Sequence, residues 1–291
     1  MEILRAEKMG FCFGVKEAIK TAEQVSEEYC NSKIYILGML VHNKEVMKEM
    51  SERGILILEE ENLEKLNSED VVIVRAHGTT EEIYKKLKDK NVKIFDSACV
   101  FVKKSRNLLK NKEESGKKII FVGDKEHPEV IGIISHGKNV ITVADFEEFK
   151  KIEIDKNISY YVLAQTTLNK NSFNDIKEYI EKNYSNIEVG DTICGATYER
   201  QKAVEKLAGI VDIMLIVGGY NSSNSKKLLN ISKQLNEKSY LIETKEDLKM
   251  EWMKGCSKVG ITAGASTPEK SIQEIEKLLK EESRDGKHGK F

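Results

Sequence analysis

The chain has 291 residues, of which 33% are charged and 40% hydrophobic, and its net charge is -1 at pH 7. Such a composition folds, and with Lys and Arg interspersed among Asp and Glu it offers no global field to nucleic acid or to an anionic membrane surface. No stretch approaches the ~20 apolar residues of a membrane span, and the amino terminus lacks the basic start and apolar run of a secretion signal. Five cysteines in such a chain fit a cytoplasmic, reducing setting in which thiols stay free. In chain order, the first expected element is a strand over residues 2–6. After MGFCFG comes a helix opened by Gly14, whose apolar residues Val15, Ile19, Ala22, Val25 and Tyr29 keep a 3.6-residue period. Short apolar, largely β-branched runs follow as strands, IYIL (34–37), ILIL (55–58), VVIV (71–74) and VKIF (92–95), with helical stretches between. The same plan returns as KIIFV (118–122), VITV (140–143) and YYVL (160–163), and again as IMLIV (213–217), YLI (240–242) and VGIT (259–262).

This alternation implies an α/β fold of three similar lobes with mainly parallel sheets, arranged pseudo-threefold around a central cavity. The expected lobes are 14–97, 98–191 and 192–282. The strand within 1–13 completes the third as a circular permutation, and 283–291 form a frayed tail within EESRDGKHGKF (281–291). Cys12, Cys99 and Cys194 each stand where a strand gives way to a helix, 87 and then 95 residues apart. From each cysteine to the loop after the first strand that follows it, at His42, His127 and Ser222, there are 30, 28 and 28 residues. Loops after the third strands carry His77-Gly78-Thr79, Gln165-Thr166-Thr167 and Ala265-Ser266-Thr267. In open parallel sheets such loops lie at the carboxyl ends of the strands, where ligands bind.

Three thiolates from three lobes suit zinc or an iron–sulfur centre, and their separation is far too long for a zinc finger. Cys30, at the far end of the first helix, and Cys256, ahead of its strand, lie at the wrong ends of their elements to add a fourth ligand. One metal position would then stay open to substrate as a Lewis acid. Around the cysteines, His42, His77, His127, Ser222, Ser223, Asn224 and Ser266 form a set of hydrogen-bond donors suited to an anion. Ser222 and Ser266 taken singly read as ordinary helix caps. Glu129 is the one carboxylate beside a candidate histidine. Like charge from thiolates and a bound anion would raise its pKa and leave it a proton to deliver. No Walker A or GxGxxG sequence indicates a nucleotide cofactor.

Taken together, GFCFGVKEAI, VHN, RAHGT, EHPEV, QTTL, ICGATYERQ, NSSNS and TAGAS resemble the LytB/IspH family of 4-hydroxy-3-methylbut-2-enyl diphosphate reductases, in order across residues 9 to 267. The resemblance implies a 4Fe-4S cluster held by Cys12, Cys99 and Cys194, and reductive loss of the substrate's allylic hydroxyl to give isopentenyl and dimethylallyl diphosphate. It also implies that His42, His77, His127, Ser222, Ser223, Asn224 and Ser266 hold the diphosphate, that Glu129 donates protons and that Thr166 orders the hydroxyl beside it. A ferredoxin or flavodoxin electron donor is implied as partner. One departure is Asp96-Ser97-Ala98-Cys99-Val100, where the family commonly has Asp-Ala-Thr-Cys-Pro. Two other readings fit the same residues: a three-cysteine zinc hydrolase of a phosphorylated small molecule, and a sensor or binding module whose cluster is only structural. The basic run Lys103, Lys104, Arg106, Lys110 and Lys112 reads either as a patch for an acidic donor or as a solvated helix face.

Overall fold

The structure is a computed structural model that describes residues 1–41 and 43–285. It contains three four-stranded sheets in which every pairing is parallel. In chain order the strands are β1 (Glu2–Arg5), β2 (Ile34–Leu37), β3 (Leu56–Leu58), β4 (Val71–Val74), β5 (Lys93–Asp96) and β6 (Lys118–Val122). They continue as β7 (Val140–Val143), β8 (Tyr160–Ala164), β9 (Ile187–Val189), β10 (Ile213–Val217), β11 (Ser239–Ile242) and β12 (Lys258–Ala263). The helices are α1 (Phe13–Glu28), α2 (Lys44–Glu52), α3 (Glu81–Asp89), α4 (Val100–Glu114), α5 (Pro128–Ile134), α6 (Phe146–Phe149), α7 (Lys170–Asn183), α8 (Gly195–Ala208), α9 (Ser223–Leu235) and α10 (Glu269–Asp285).

The sheet orders are β3-β2-β4-β5, β7-β6-β8-β9 and β11-β10-β12-β1. Each is one permutation of the same plan, and in the third the amino-terminal strand takes the place held by β5 and β9: β1 pairs with β12 from Glu2 opposite Lys258 to Arg5 opposite Ile261. The middle strands β4, β6, β8, β10 and β12 are buried along almost their whole length, which explains their unbroken apolar runs. The strands that precede the cysteines are all edges. They carry polar residues such as Glu188 in the middle of β9, a strand that no apolar run announces.

The three sheets are distributed over two compact units. One comprises Met1–Lys16, His42–Lys48 and Gly195–Phe291 and contains the β11-β10-β12-β1 sheet; the other comprises Glu17–Val41 and Glu49–Cys194 and contains the other two sheets. In the second unit α4 lays Val102 and Leu109 against Ile119, Phe121 and Leu163 of the β6–β8 sheet. In the first, α8 buries Ala203, Val204 and Leu207 against Met214 and Ile216 of β10. A strand of one sheet thus feeds, through a cysteine turn, a helix that packs on the next. Of the tail expected at 283–291, residues 283–285 belong to α10, which keeps Ile272, Ile275 and Leu279 fully buried and carries its turns on beyond them; residues 286–291 lie outside the described residues. No helix among the described residues is long and apolar enough to cross a membrane.

Candidate functional site

Each of the three helices α1, α4 and α8 begins at the residue after a cysteine, at Phe13, Val100 and Gly195. The turns share one hydrogen-bond register. The N–H of Cys12 donates to the carbonyl of Ala265 (3.0 Å), that of Cys99 to Ala76 (2.9 Å) and that of Cys194 to Thr166 (2.9 Å). Two residues earlier, Gly10 donates to Ala263, Ser97 to Val74, and Thr192, through its hydroxyl, to Ala164. In all three cases the acceptors are also two residues apart, so each cysteine is latched to the loop after the strand that pairs with the edge strand leading into it. The first-strand ends match as well: the N–H groups of Gly38, Gly123 and Gly218 donate to Leu58, Val143 and Ile242, the last residues of the second strands.

All five cysteines are free thiols. The Val15 N–H points at Cys12 Sγ from 3.4 Å, the contact expected of an acceptor at a helix start. Cys99 is the N-cap of α4 with φ -57° and ψ 145°, and Val100 is the first helical residue, 54% exposed. Proline is preformed for that position, and the ψ of Cys99 is the one a following proline requires. The departure at Val100 therefore leaves the turn intact. Val100→Pro should raise stability by about 0.4–1 kcal/mol through the unfolded chain, measurable as a higher urea midpoint at unchanged slope. Cys30 is exposed beyond the end of α1, and Cys256 donates its S–H to the Trp252 carbonyl at the amino end of β12, opposite the end that latches Cys12. Among the described residues no three His, Cys, Asp or Glu side chains are grouped tightly enough to hold a single metal ion.

In the unit that carries Cys99 and Cys194, Glu129 is 2% exposed. Its Oε1 accepts from the Thr166 N–H (2.7 Å) and its Oε2 from the Thr166 hydroxyl (2.8 Å). Burial raises its pKa, against the two Thr166 donors that favour the ionised form. The direction is the one expected from the sequence, and here desolvation supplies it. His127 is the N-cap of α5: its Nδ1 accepts from the Glu129 N–H at 3.1 Å, which places the proton of the neutral ring on Nε2. The His77 ring stands edge-on to it with centroids 5.8 Å apart, on a loop turned by Gly78 at φ +78°. These four side chains and the Cys194 turn therefore meet at the carboxyl ends of β4, β6 and β8.

In the other unit, Ser222 caps α9, its hydroxyl accepting from the Ser225 N–H, with Ser223 and Asn224 in the first turn. Asn224 is 8% exposed and its Nδ2 lacks a hydrogen-bond partner. A Cβ on Gly218 or Gly264 would collide with the Ser225 hydroxyl, so glycine at both positions lets the loop of Ser266 close onto α9. Ser266 is buried there, and Thr267 fixes the loop by donating to the Val217 carbonyl (2.9 Å). His42 lies outside the described residues; its neighbour Asn43 caps α2 through the Val46 N–H (3.1 Å).

Arg200 escapes sequence reasoning, because nothing in GATYERQ separates a buried arginine from a solvated one. It is 7% exposed and donates to the Gly10 carbonyl (2.8 Å), two residues before Cys12, and to the Ala196 carbonyl (2.8 Å), two residues after Cys194. Arg200→Met should cost about 1.5–3 kcal/mol for each charged hydrogen bond lost, read as a lower denaturant midpoint. The basic run after Cys99 is engaged within the chain. Lys103 and Arg106 bind Asp96, Lys104 reaches the Asp191 carbonyl, Lys110 pairs with Glu81, and Lys112 with Glu188.

Residues 3–280 match the family model described as LytB protein. A 4-hydroxy-3-methylbut-2-enyl diphosphate reductase of Caldanaerobacter subterraneus is 38% identical over 284 residues, covering 96% of this chain and 97% of that protein. One of Fusobacterium nucleatum is 49% identical over 284 residues, covering 96% of this chain but only 34% of the relative, so the chain spans about a third of that longer protein. Among solved structures, the Plasmodium falciparum E-1-hydroxy-2-methyl-but-2-enyl-4-diphosphate reductase superposes with a TM-score of 0.89 at 30% identity, covering 96% of this chain and 87% of that one. A second, described as the terminal enzyme of the non-mevalonate pathway, gives 0.70 at 36% identity, covering 97% of this chain and 100% of that one.

Proposed function

Because this chain belongs to the LytB family, we propose that it is a 4-hydroxy-3-methylbut-2-enyl diphosphate reductase acting in the cytoplasm. The allylic alcohol takes up two electrons and two protons, its C–O bond breaks, and isopentenyl or dimethylallyl diphosphate leaves with one water. The observation that carries this reading is the common register of the three cysteine turns, together with the buried Glu129–Thr166 pair next to one of them.

The donor set fits an iron–sulfur cluster: Cys12, Cys99 and Cys194 are free thiols on equivalent, rigidly latched turns, with an N–H aimed at one sulfur, the kind of contact that tunes cluster potential. We assign them as the three ligands of a 4Fe-4S cluster. When bound, such a cluster supplies the electrons and, at an iron without a protein ligand, a Lewis acid for the departing hydroxyl.

The chain's own residues do the rest. His42, His77, His127, Ser222, Ser223, Asn224 and Ser266 hold the diphosphate. His127 offers Nε2–H because its Nδ1 is committed to capping α5, and Asn224 has an amide donor in want of an acceptor. Anchoring the anion fixes the hydroxyl end and converts binding energy into position. Hydroxide is a poor leaving group from carbon and must be protonated as it departs. With Glu129 protonated on Oε2, the Thr166 hydroxyl becomes the acceptor of that proton and turns its own hydrogen outward to the leaving oxygen, so one relay delivers a proton from a buried carboxyl. A ferredoxin or flavodoxin is the proposed electron donor.

Anaerobic turnover of the allylic diphosphate with dithionite and a viologen mediator tests the proposal. Formation of the two C5 diphosphates is the expected result. Release of inorganic phosphate without reduction would instead mark a hydrolase, and iron-loaded protein that binds the diphosphate without turnover would mark a sensor.

A further inference from the structure

We propose that the cleft between α3 and α4, on the unit of the first two sheets, binds a small dianion of the phosphate class. The cleft has a volume of about 450 Å³. Helix α3 supplies Lys85 and Lys88 and helix α4 supplies Arg106 and Lys110; the one carboxylate in the lining is Glu81, and Arg106 is also paired with Asp96 (3.2 Å). Glu81 is already bound by Lys110 (2.9 Å) and Lys85 (3.4 Å), and those contacts hold its carboxyl down to about 2, so it stays charged and occupied. Lys88 makes no ion pair among the described residues.

The second observation is His136, also in the lining. It is 9% exposed and neither ring nitrogen has a hydrogen-bond partner; its Nδ1 stands 3.8 Å from Glu81 Oε1, too far for one. A buried imidazole N–H left without an acceptor is costly, and a phosphoryl oxygen supplies that acceptor while the lysines neutralise its charge. The surroundings report the same preference. Besides burial, the positive charges of Lys110 and Arg106 push His136 down to about 4, against the opposing pull of Glu81. Lys85 and Lys88 of α3 line the same cleft, and Tyr84 faces the ring with centroids 6.1 Å apart; burial and Asp96 keep its hydroxyl protonated, at about 12. Free phosphate and the phosphoryl group of a monoester share this chemistry, and the wall made by Tyr84 and Ile94 can cover the apolar part of an ester.

The test is inorganic phosphate titrated into the cluster-loaded full chain with ¹³C-labelled histidines, the His136 signal being assigned by its loss in His136→Asn. We expect a saturable shift of that signal and an upward move of its titration midpoint, because a bound dianion favours the imidazolium. Lys88→Glu should weaken the response roughly tenfold, whereas Asn224→Ala, on the other unit, should leave it unchanged. Tighter binding of glycerol 2-phosphate than of phosphate assigns the cleft to an ester; the reverse assigns it to the free anion. A signal that does not move, that moves equally with chloride at the same ionic strength, that ignores Lys88→Glu or that is lost in Asn224→Ala overturns the proposal.

Discussion

Glu129→Gln should lower turnover by about 100- to 10,000-fold while leaving the Michaelis constant for the diphosphate substrate nearly unchanged. Glutamine keeps the size of the side chain, accepts from the Thr166 N–H through its carbonyl and offers its amide to the Thr166 hydroxyl, so the loop keeps its shape. What it lacks is a proton to release at neutral pH. In the proposed site the anion is held by other side chains, so ground-state binding should survive and only the step that expels water should suffer. The same variant carries a stability signature. Burial sets the folded-state pKa of Glu129 above its ordinary value, so the native state binds the proton more tightly than the unfolded chain. The wild type therefore loses stability as pH rises from the ordinary carboxylate range through the raised pKa, and below that range there is no penalty. Urea midpoints of variant and wild type should differ least in acid, with the difference shifting in the variant's favour as pH increases. Turnover within a few-fold of wild type, or a difference that runs the other way with pH, contradicts this account of the residue.

Serine at any one of Cys12, Cys99 and Cys194 should strip the protein of most of its iron and sulfide and abolish reduction, while the fold persists. Serine is a better helix cap than cysteine and can accept from a first-turn N–H as Cys12 Sγ does from Val15, so the turns have no local reason to collapse. A hydroxyl is a poor replacement for a thiolate as an iron ligand. Cys30→Ser and Cys256→Ser form the contrast. The first removes an exposed thiol past α1, and the second an S–H bonded to Trp252 at the amino end of β12. Neither change should alter metal content. Iron retained in Cys99→Ser but lost in Cys256→Ser would show that the ligand set has been drawn wrongly.

The lobed α/β plan was legible because the central strands are buried on both faces and so must be apolar throughout. VVIV, KIIFV and IMLIV are β4, β6 and β10 to the residue. The permuted position of β1 was legible for a different reason: the third lobe otherwise lacked the strand that leads to a cysteine. One edge strand, β9, was not legible. β9 has three residues with a glutamate in the middle, and an edge needs apolar side chains on one face only. Within the site, the spacing of loops placed Glu129 near His127, but not the reason for its raised pKa, since burial is a property of the folded surroundings. Nor could local sequence show that His127 spends Nδ1 on a helix cap, a role usually taken by serine, threonine, aspartate or asparagine. Arg200 was hidden for the same reason: its partners Gly10 and Ala196 are carbonyls, one of them 190 residues away, and carbonyls leave no trace in side-chain chemistry.

Iron and acid-labile sulfide, assayed together on wild-type protein purified under argon, test the central claim most directly. If the three latched cysteines hold one 4Fe-4S cluster, as proposed, the protein should be brown with about four irons and four sulfides per chain. Colourless protein holding a single zinc, or iron without sulfide, would contradict it.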